Sequence, residues 1–361
     1  MTQAAPAGSP PDLDDPRRLA AADPGGMLAE VAGAGGQARA ALAAAESAPL
    51  AGPLPEAVVV AGMGGSGIAG DVLAARAFAS SPVPVLPVKG DRLPAFVGPG
   101  TLLLAVSYSG ATAETLAAVD QGLAAGARLA AVTSGGALAE LAQARSAPLV
   151  LVPGGRQPRA AFWSLVVPVC LAAGAAGVLG PLRDEVEAAA DALDEQAAAL
   201  GPLVPTAANP AKQAALRLAG RLPVAWGSGQ LGAVAALRFR TQCNENAKVE
   251  VVSAALPEAN HNDVMGLEGG LGPGRELLLL RDLAGEHQRD AQRIAAVCEA
   301  LGADPLVRLA GDGPDLARLA RLVAFADFTA TYLAIACGVD PTPIRTLERV
   351  KAALAGAAGR A

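Results

Sequence analysis

Gly62-Met63-Gly64-Gly65-Ser66-Gly67 follows the apolar run Ala57–Met63 and precedes a pattern of helical period over Ile68–Phe78. A strand that ends in glycines at a helix start is an entry turn of a parallel α/β sheet. Without Cβ atoms the backbone turns sharply and can approach an anion at the helix N-terminus. The spacing satisfies GxGxxG. A dinucleotide fold also asks for an acidic residue roughly 20 residues on, and Asp91, 24 residues beyond Gly67, is an imperfect match. A Walker A loop is excluded, because no Lys follows the glycines.

Outward from this turn the same alternation continues. Val83–Val88 (despite its prolines), Thr101–Val106, Arg128–Val132 and Leu149–Val152 read as further apolar strands, and Ala113–Ala125 as a helix. Leu28–Ser47 is Ala-rich and reads as one helix, and residues 1–20 as a flexible tail. Arg183–Leu200 reads as a polar-faced connecting helix, and Gly201-Pro202-Leu203-Val204-Pro205 as a boundary. Beyond it Leu222–Trp226 ends at Gly227-Ser228-Gly229, and Ala233–Asn244 follows as a helix. Val249–Ser253, Glu276–Leu280 and Pro305–Leu309 are further strands. Helices follow over Asp315–Gly338 and around Leu347–Leu354. Strand–helix alternation implies right-handed crossovers and parallel sheets covered on both faces. The expectation is an α/β chain with two doubly wound parallel-sheet, flavodoxin-like domains. They divide as a tail and helix over 1–45, a first domain over 46–200, a second over 201–340, and a C-terminal segment over 341–361.

Composition agrees with two domains, since 361 residues at roughly 100–200 per domain allow them. Apolar residues at 52% are enough for sizeable cores, and the net charge is −6. A nucleic-acid binder would carry a basic excess or stripe, and none is present; small anionic ligands need only a local site. Cys170, Cys243, Cys298 and Cys337 are scattered without CxxC, and there are two histidines. Neither a zinc site nor a disulfide framework is expected, and a reduced cytoplasmic setting fits. Met1–Asp15 lacks the basic-then-apolar order of a signal peptide. Ala160–Leu182 is uncharged and long enough to span a bilayer. It stands alone, is rich in Ala and Gly, and holds Pro168, so a buried helix is expected and no membrane partner.

The chemistry concentrates at strand ends. Ser107, Ser109 and Thr112 place three hydroxyls within six residues, where a parallel strand gives way to a helix. Ligands of such sheets bind outside the carboxyl ends of the strands. With Gly65 and Ser66 of the first loop, these hydroxyls and a helix N-terminus suit a tetrahedral dianion. The competing reading is helix capping, which needs one side chain rather than three.

Gly62-Met63-Gly64-Gly65-Ser66-Gly67-Ile68-Ala69-Gly70-Asp71 and Ser107-Tyr108-Ser109-Gly110-Ala111-Thr112-Ala113-Glu114-Thr115 resemble the SIS (sugar isomerase) domain. With Asn244-Glu245-Asn246-Ala247-Lys248 and Glu258-Ala259-Asn260-His261-Asn262-Asp263, the chain more narrowly resembles the bifunctional phosphoglucose/phosphomannose isomerases, over roughly residues 45–355. The resemblance implies two SIS-type domains and hexose 6-phosphate substrates. It also implies aldose–ketose isomerisation through a cis-enediolate, with no cofactor and no metal. Glu245 would be the base. His261 would shuttle a proton and come from the neighbouring subunit of a homodimer. Arg159 would stabilise the oxyanion, and Lys351 would assist ring opening. Thr342 is a candidate for the neighbourhood of C2.

Plainer readings stand beside these. Lys351, one of 4 Lys against 24 Arg, reads equally as a surface charge at a helix start, although an ammonium can exchange a proton where a guanidinium cannot. His261 could simply order a loop, and Arg159 could be a helix-start charge. His287 reads as solvated, and Trp163 and Trp226 as core. Leu267 stands where the family pattern leads one to expect an aromatic. A sugar-phosphate sensor without turnover would need neither Glu245 nor His261. A dinucleotide oxidoreductase would leave the Ser107 loop without a role.

Overall fold

The computed structural model describes residues 12–48 and 52–358, the side chains of 354–358 excepted. Its first sheet holds β1 (Ala57–Gly62), β2 (Val85–Val88), β3 (Thr101–Ser107), β4 (Arg128–Thr133) and β5 (Leu149–Leu151). They run parallel in the order β2-β1-β3-β4-β5, the flavodoxin-like sequence of a doubly wound sheet. Every residue of β1 and β3 is buried, which is why both read as unbroken apolar runs. Residue alternation divides the core. Val58, Val60, Leu102 and Leu104 face one helix layer, and Val59, Ala61, Leu103 and Ala105 the other.

The helices of this half are α1 (Pro16–Ala22), α2 (Met27–Ala32), α3 (Ala34–Glu46), α4 (Gly64–Ala77), α5 (Ala113–Ala124), α6 (Gly136–Ala144), α7 (Phe162–Ala175) and α8 (Arg183–Leu200). Helices α5 and α6 cover one face, and α3, α4, α7 and α8 the other. The second sheet is again parallel, with β6 (Leu222–Ser228), β7 (Val252–Ala255), β8 (Arg275–Arg281) and β9 (Leu306–Leu309) in the order β7-β6-β8-β9. Helices α9 (Pro210–Leu218), α10 (Gly229–Gln242) and α12 (Asp315–Ala336) bury one face, and α11 (Gln288–Leu301) the other; α13 (Arg345–Ala358) closes the order. The halves share a core, because Leu231, Leu316, Leu319 and Val323 pack with α3, α4, α7 and α8.

The entry turn repeats. Gly227-Ser228-Gly229-Gln230-Leu231-Gly232 has the same GxGxxG spacing, and both helices begin on a left-handed glycine, Gly64 (φ 55°) and Gly229 (φ 68°). A residue with a Cβ is strained at such a φ. The first loop is also tight: a Cβ on Gly67 would lie 2.8 Å from the Gly62 carbonyl oxygen.

Several expectations shift. The helix expected over Leu28–Ser47 is two helices, broken at Gly33. Helix α4 starts four residues before Ile68, inside the glycine turn, and the strand expected at Val249–Ser253 is β7, at Val252–Ala255. Ala160–Leu182 holds the buried helix α7, with Pro168 inside it. Among the described residues the helix long and apolar enough to cross a membrane is α12, whose apolar window is 89% buried within the protein.

The flexible tail expected over 1–20 is corrected for its described part; residues 1–11 lie outside the described residues. Asp15 caps α1 by accepting hydrogen bonds from the Arg17 and Arg18 amides. Leu13 and Leu19 are 1% and 3% exposed in the core of the second half. Asp14 accepts from the Thr206 amide and hydroxyl, both at 2.8 Å, and from the buried Lys212 ammonium at 3.1 Å. A Pro-rich acidic composition hid two anchoring leucines. Leu19→Ala should therefore lower unfolding stability by about 2–5 kcal/mol in chemical denaturation; an unchanged midpoint would mean that the segment does not belong to the core.

Candidate active site

The first element of the site is the glycine turn after β1. The Ser66 hydroxyl accepts a hydrogen bond from the Tyr108 amide at 3.3 Å. A Cβ built on Gly65 would come within 3.8 Å of the Arg159 Cα, so this turn lies directly against the turn Pro158–Ala160.

The loop after β3 supplies the hydroxyls. Ser107 and Thr112 hydroxyls are 2.9 Å apart, and Ser107 Oγ accepts from the Gly110 amide at 3.1 Å. Ser109 is exposed, its Oγ accepting from the Ala111 amide at 3.3 Å. Thr112 occupies the cap position of α5 with extended backbone, yet no side-chain bond caps that helix. The capping reading thus fails for Thr112, and the first-turn N–H groups of α5 remain available to an anion. Tyr108, which the sequence reading left without a role, ties three loops together. Its hydroxyl donates to Pro153 O (3.0 Å) and accepts from the Arg156 amide (3.1 Å), and its carbonyl accepts from the Ser134 hydroxyl (2.6 Å).

Arg159 connects this half to the other. It is 3% exposed. Its Nε donates to Asn246 Oδ1 at 2.6 Å, and its Nη2 to the carbonyls of Pro341 (2.8 Å) and Thr342 (2.7 Å). Nη1 keeps one long bond, 3.4 Å, to Gln157. Burial lowers the Arg159 pKa, against the opposing pull of the Glu245 carboxylate. The helix-start reading of Arg159 as a mere surface charge does not survive.

Glu245 sits on a π-helical turn, Cys243–Ala247, which continues α10. Such turns widen a helix and re-aim its side chains, frequently at functional sites. The turn ends at Lys248 in left-handed conformation (φ 57°), whose ammonium donates to Glu245 O at 2.5 Å. Burial lowers the Lys248 pKa, and the Arg159 charge adds to that. Glu245 lines a cavity of about 850 Å³ together with Asn244, Lys248, Asp340 and Arg345. The hydroxyl of Thr342 is buried with no hydrogen-bond partner among the described residues, and Gly25 lies against its side chain, where a Cβ would clash.

The other two candidates lie apart within a single chain. His261 is exposed after the turn Glu258–Asn260, which packs against β7 and α11. Among the described residues no hydrogen bond or ion pair joins it to Glu245 or Arg159. Lys351 is exposed on α13, whose Leu347 and Val350 line the Glu245 cavity.

Arg238 and Asp327 carried no signal in the sequence. Arg238 is 1% exposed, makes a two-point pair with Asp327 (2.8 and 2.9 Å), and donates from Nη2 to the Arg159 carbonyl at 2.7 Å. At the repeated glycine turn of the second half, the Ser228 hydroxyl donates to Glu286 at 2.7 Å, and Arg281 pairs with the same carboxylate at 2.6 Å. Among the described residues no three His, Cys, Asp or Glu side chains gather as a metal-holding group.

Comparison with known proteins places this geometry. Residues 207–354 match the family model described as the bacterial phospho-glucose isomerase C-terminal SIS domain. The bifunctional phosphoglucose/phosphomannose isomerase of Caldicellulosiruptor bescii is 32% identical over 308 residues, covering 82% of this chain and 89% of that protein. That of Aquifex aeolicus is 34% identical over 302 residues, covering 81% and 89%. Among solved structures, a glucose-6-phosphate isomerase like protein from Thermus thermophilus superposes with a TM-score of 0.63 at 23% identity, over 94% of this chain and 98% of that one. The fold is therefore shared, and the chain belongs to the bifunctional phosphoglucose/phosphomannose isomerase family.

If the Thr112 hydroxyl binds an anion rather than capping α5, Thr112→Val should weaken inorganic phosphate about tenfold, since a hydrogen bond to a charged group contributes roughly 1.5–3 kcal/mol. The thermal midpoint should stay close to that of the parent. A lowered midpoint with unchanged phosphate affinity would return Thr112 to a structural role.

Proposed function

We propose that the chain, as a member of this family, is a metal-independent aldose–ketose isomerase. It interconverts glucose 6-phosphate and mannose 6-phosphate with fructose 6-phosphate through a cis-enediolate. The observation that carries this is the position of Arg159, whose main chain touches the glycine turn and whose guanidinium holds the residue next to Glu245.

In this reading Gly65, Ser66, Ser107, Ser109 and Thr112 hold the phosphate dianion at the N-termini of α4 and α5. That fixes one end of the sugar and directs C1 and C2 toward the second half. Glu245 removes the proton from C2 of the aldose and returns it at C1. A carboxylate suits both steps, because the same group can take and give back one proton. Charge develops on O1 and O2 as the enediolate forms. Nη1 of Arg159, whose single bond is a long one of 3.4 Å, is the group to meet it, and a cation already buried and oriented needs little reorganisation. Glucose and mannose 6-phosphates differ only at C2 and give the same enediolate once the C2–C3 bond rotates. One base can therefore serve both, and the names of the relatives support this.

In one chain His261 is exposed and does not line the Glu245 cavity. We assign it to the site of a neighbouring subunit, with a homodimer as the working unit. There an imidazole can move the ring-oxygen or O1 proton near neutral pH. Lys351 reaches the same site if α13 closes over the cavity that Leu347 and Val350 already line, and it would assist ring opening.

A coupled assay with chelator present, on each aldose phosphate separately, tests the reading. Turnover should persist without metal, and Glu245→Gln should lower kcat by roughly 10²–10⁴-fold. Full activity in that variant would remove Glu245 as base. Mixed with His261→Ala subunits, it should recover activity that neither variant has alone; no recovery would contradict a site shared between subunits.

A further inference from the structure

We infer that Arg238, held by Asp327, is a positioning residue that sets the distance between the cation and the base of the active site. The inference rests on the reading of Arg159 and Glu245 given above. Arg238 projects from α10 into a site closed to water, where its guanidinium lies over the Phe162 ring with 4.6 Å to the centroid. Nε and Nη2 meet the two Asp327 oxygens at 2.8 and 2.9 Å, which fixes the plane of the group. The second hydrogen on Nη2 points at the Arg159 carbonyl, 2.7 Å away. Arg159 is thus gripped at both ends, its main chain by Arg238 and its guanidinium by Asn246 and residues 341–342.

The same helix also carries the base. Arg238 lies in α10 seven residues before Glu245, and the Thr241 hydroxyl donates to the Arg238 carbonyl at 2.9 Å just ahead of the π turn. One rigid side chain therefore references the oxyanion-binding Arg159, on the first half, to the helix that aims Glu245, on the second. A buried ion pair is by itself weak evidence of a stabilising role. Removing two charges from water offsets most of their attraction, and apolar replacements of similar volume are often neutral or stabilising. A group displaced by even about 1 Å, however, can cost on the order of 10²-fold in rate.

The test is a double variant, Arg238→Met with Asp327→Leu, which removes both charges and keeps the volume. Arg238→Lys is the second variant; it keeps the charge and loses the planar fork. Each is assayed for kcat, KM and thermal midpoint. Competitive inhibition is compared for inorganic phosphate and for a five-carbon aldonate 5-phosphate, whose carboxylate copies the enediolate charge. A positioning role predicts kcat and aldonate affinity both down by about tenfold or more, with KM and phosphate affinity within about threefold and the midpoint held. Two results would overturn the inference: wild-type kcat in both variants while Arg159→Ala is inactive, or a parallel fall in kcat, phosphate affinity and midpoint, which marks a structural pair. Wild-type kcat in Arg159→Ala would instead sink the reading of Arg159 itself, and the inference with it.

Discussion

A guanidinium taken out of water must find hydrogen-bond acceptors, and beyond its own turn the ones that Arg159 finds come from two separate parts of the chain. Its side chain reaches Asn246 on the π turn and the carbonyls of Pro341 and Thr342 ahead of the C-terminal helix. Its main chain lies against the glycine turn of the first half and accepts a hydrogen bond from Arg238. Leaving a buried charge short of partners costs several kcal/mol. The requirement to satisfy this one group therefore holds the two sheets and the C-terminal segment in a fixed relation. In the proposed function the phosphate loops belong to one half and the base to the other, so that relation would decide whether a substrate held at one end meets the base at its reacting end.

The entry turn recurs in the two halves with different surroundings. Both sheets lead their first strand into a helix over GxGxxG with a left-handed glycine. In the first half the hydroxyls of Ser107 and Thr112 face each other near an uncapped helix start. In the second, Glu286 brings its own carboxylate to Ser228 and Arg281. The second turn keeps the left-handed glycine, with a carboxylate of the chain itself bonded to Ser228 beside it. Its helix instead serves through its far end, where the π turn presents Glu245.

Much of this was legible in the sequence, for definite reasons. Strands buried on both faces read as nearly continuous apolar runs, so β1, β3 and the leucines of β8 stand out, and the glycine turns mark where helices start. Glu245 stood out through the resemblance carried by Asn244-Glu245-Asn246-Ala247-Lys248, and the Ser107 loop because three hydroxyls exceed what a cap needs. The missed residues act across long separations: Arg238 reaches 79 residues to Arg159 and 89 to Asp327. Nothing local distinguishes such an arginine from a solvated one. Leu13 and Leu19 failed to show for the opposite reason, since their acidic, Pro-rich surroundings outweighed two apolar positions. The unbroken helix read over Leu28–Ser47 ignored what Gly33 costs a helix interior.

In the proposed function a single hexose monophosphate spans both halves, its ester on the hydroxyl loops and its C1–C2 bond beside Glu245. A crystal structure with fructose 6-phosphate bound tests it most directly. The account predicts phosphate oxygens within hydrogen-bond distance of Ser66, Ser107 and Thr112, with C1 and C2 next to the Glu245 carboxylate and an Arg159 nitrogen facing O1 or O2. A phosphate seated at the Ser228 turn, or a sugar whose C1 and C2 point away from Glu245, would contradict it.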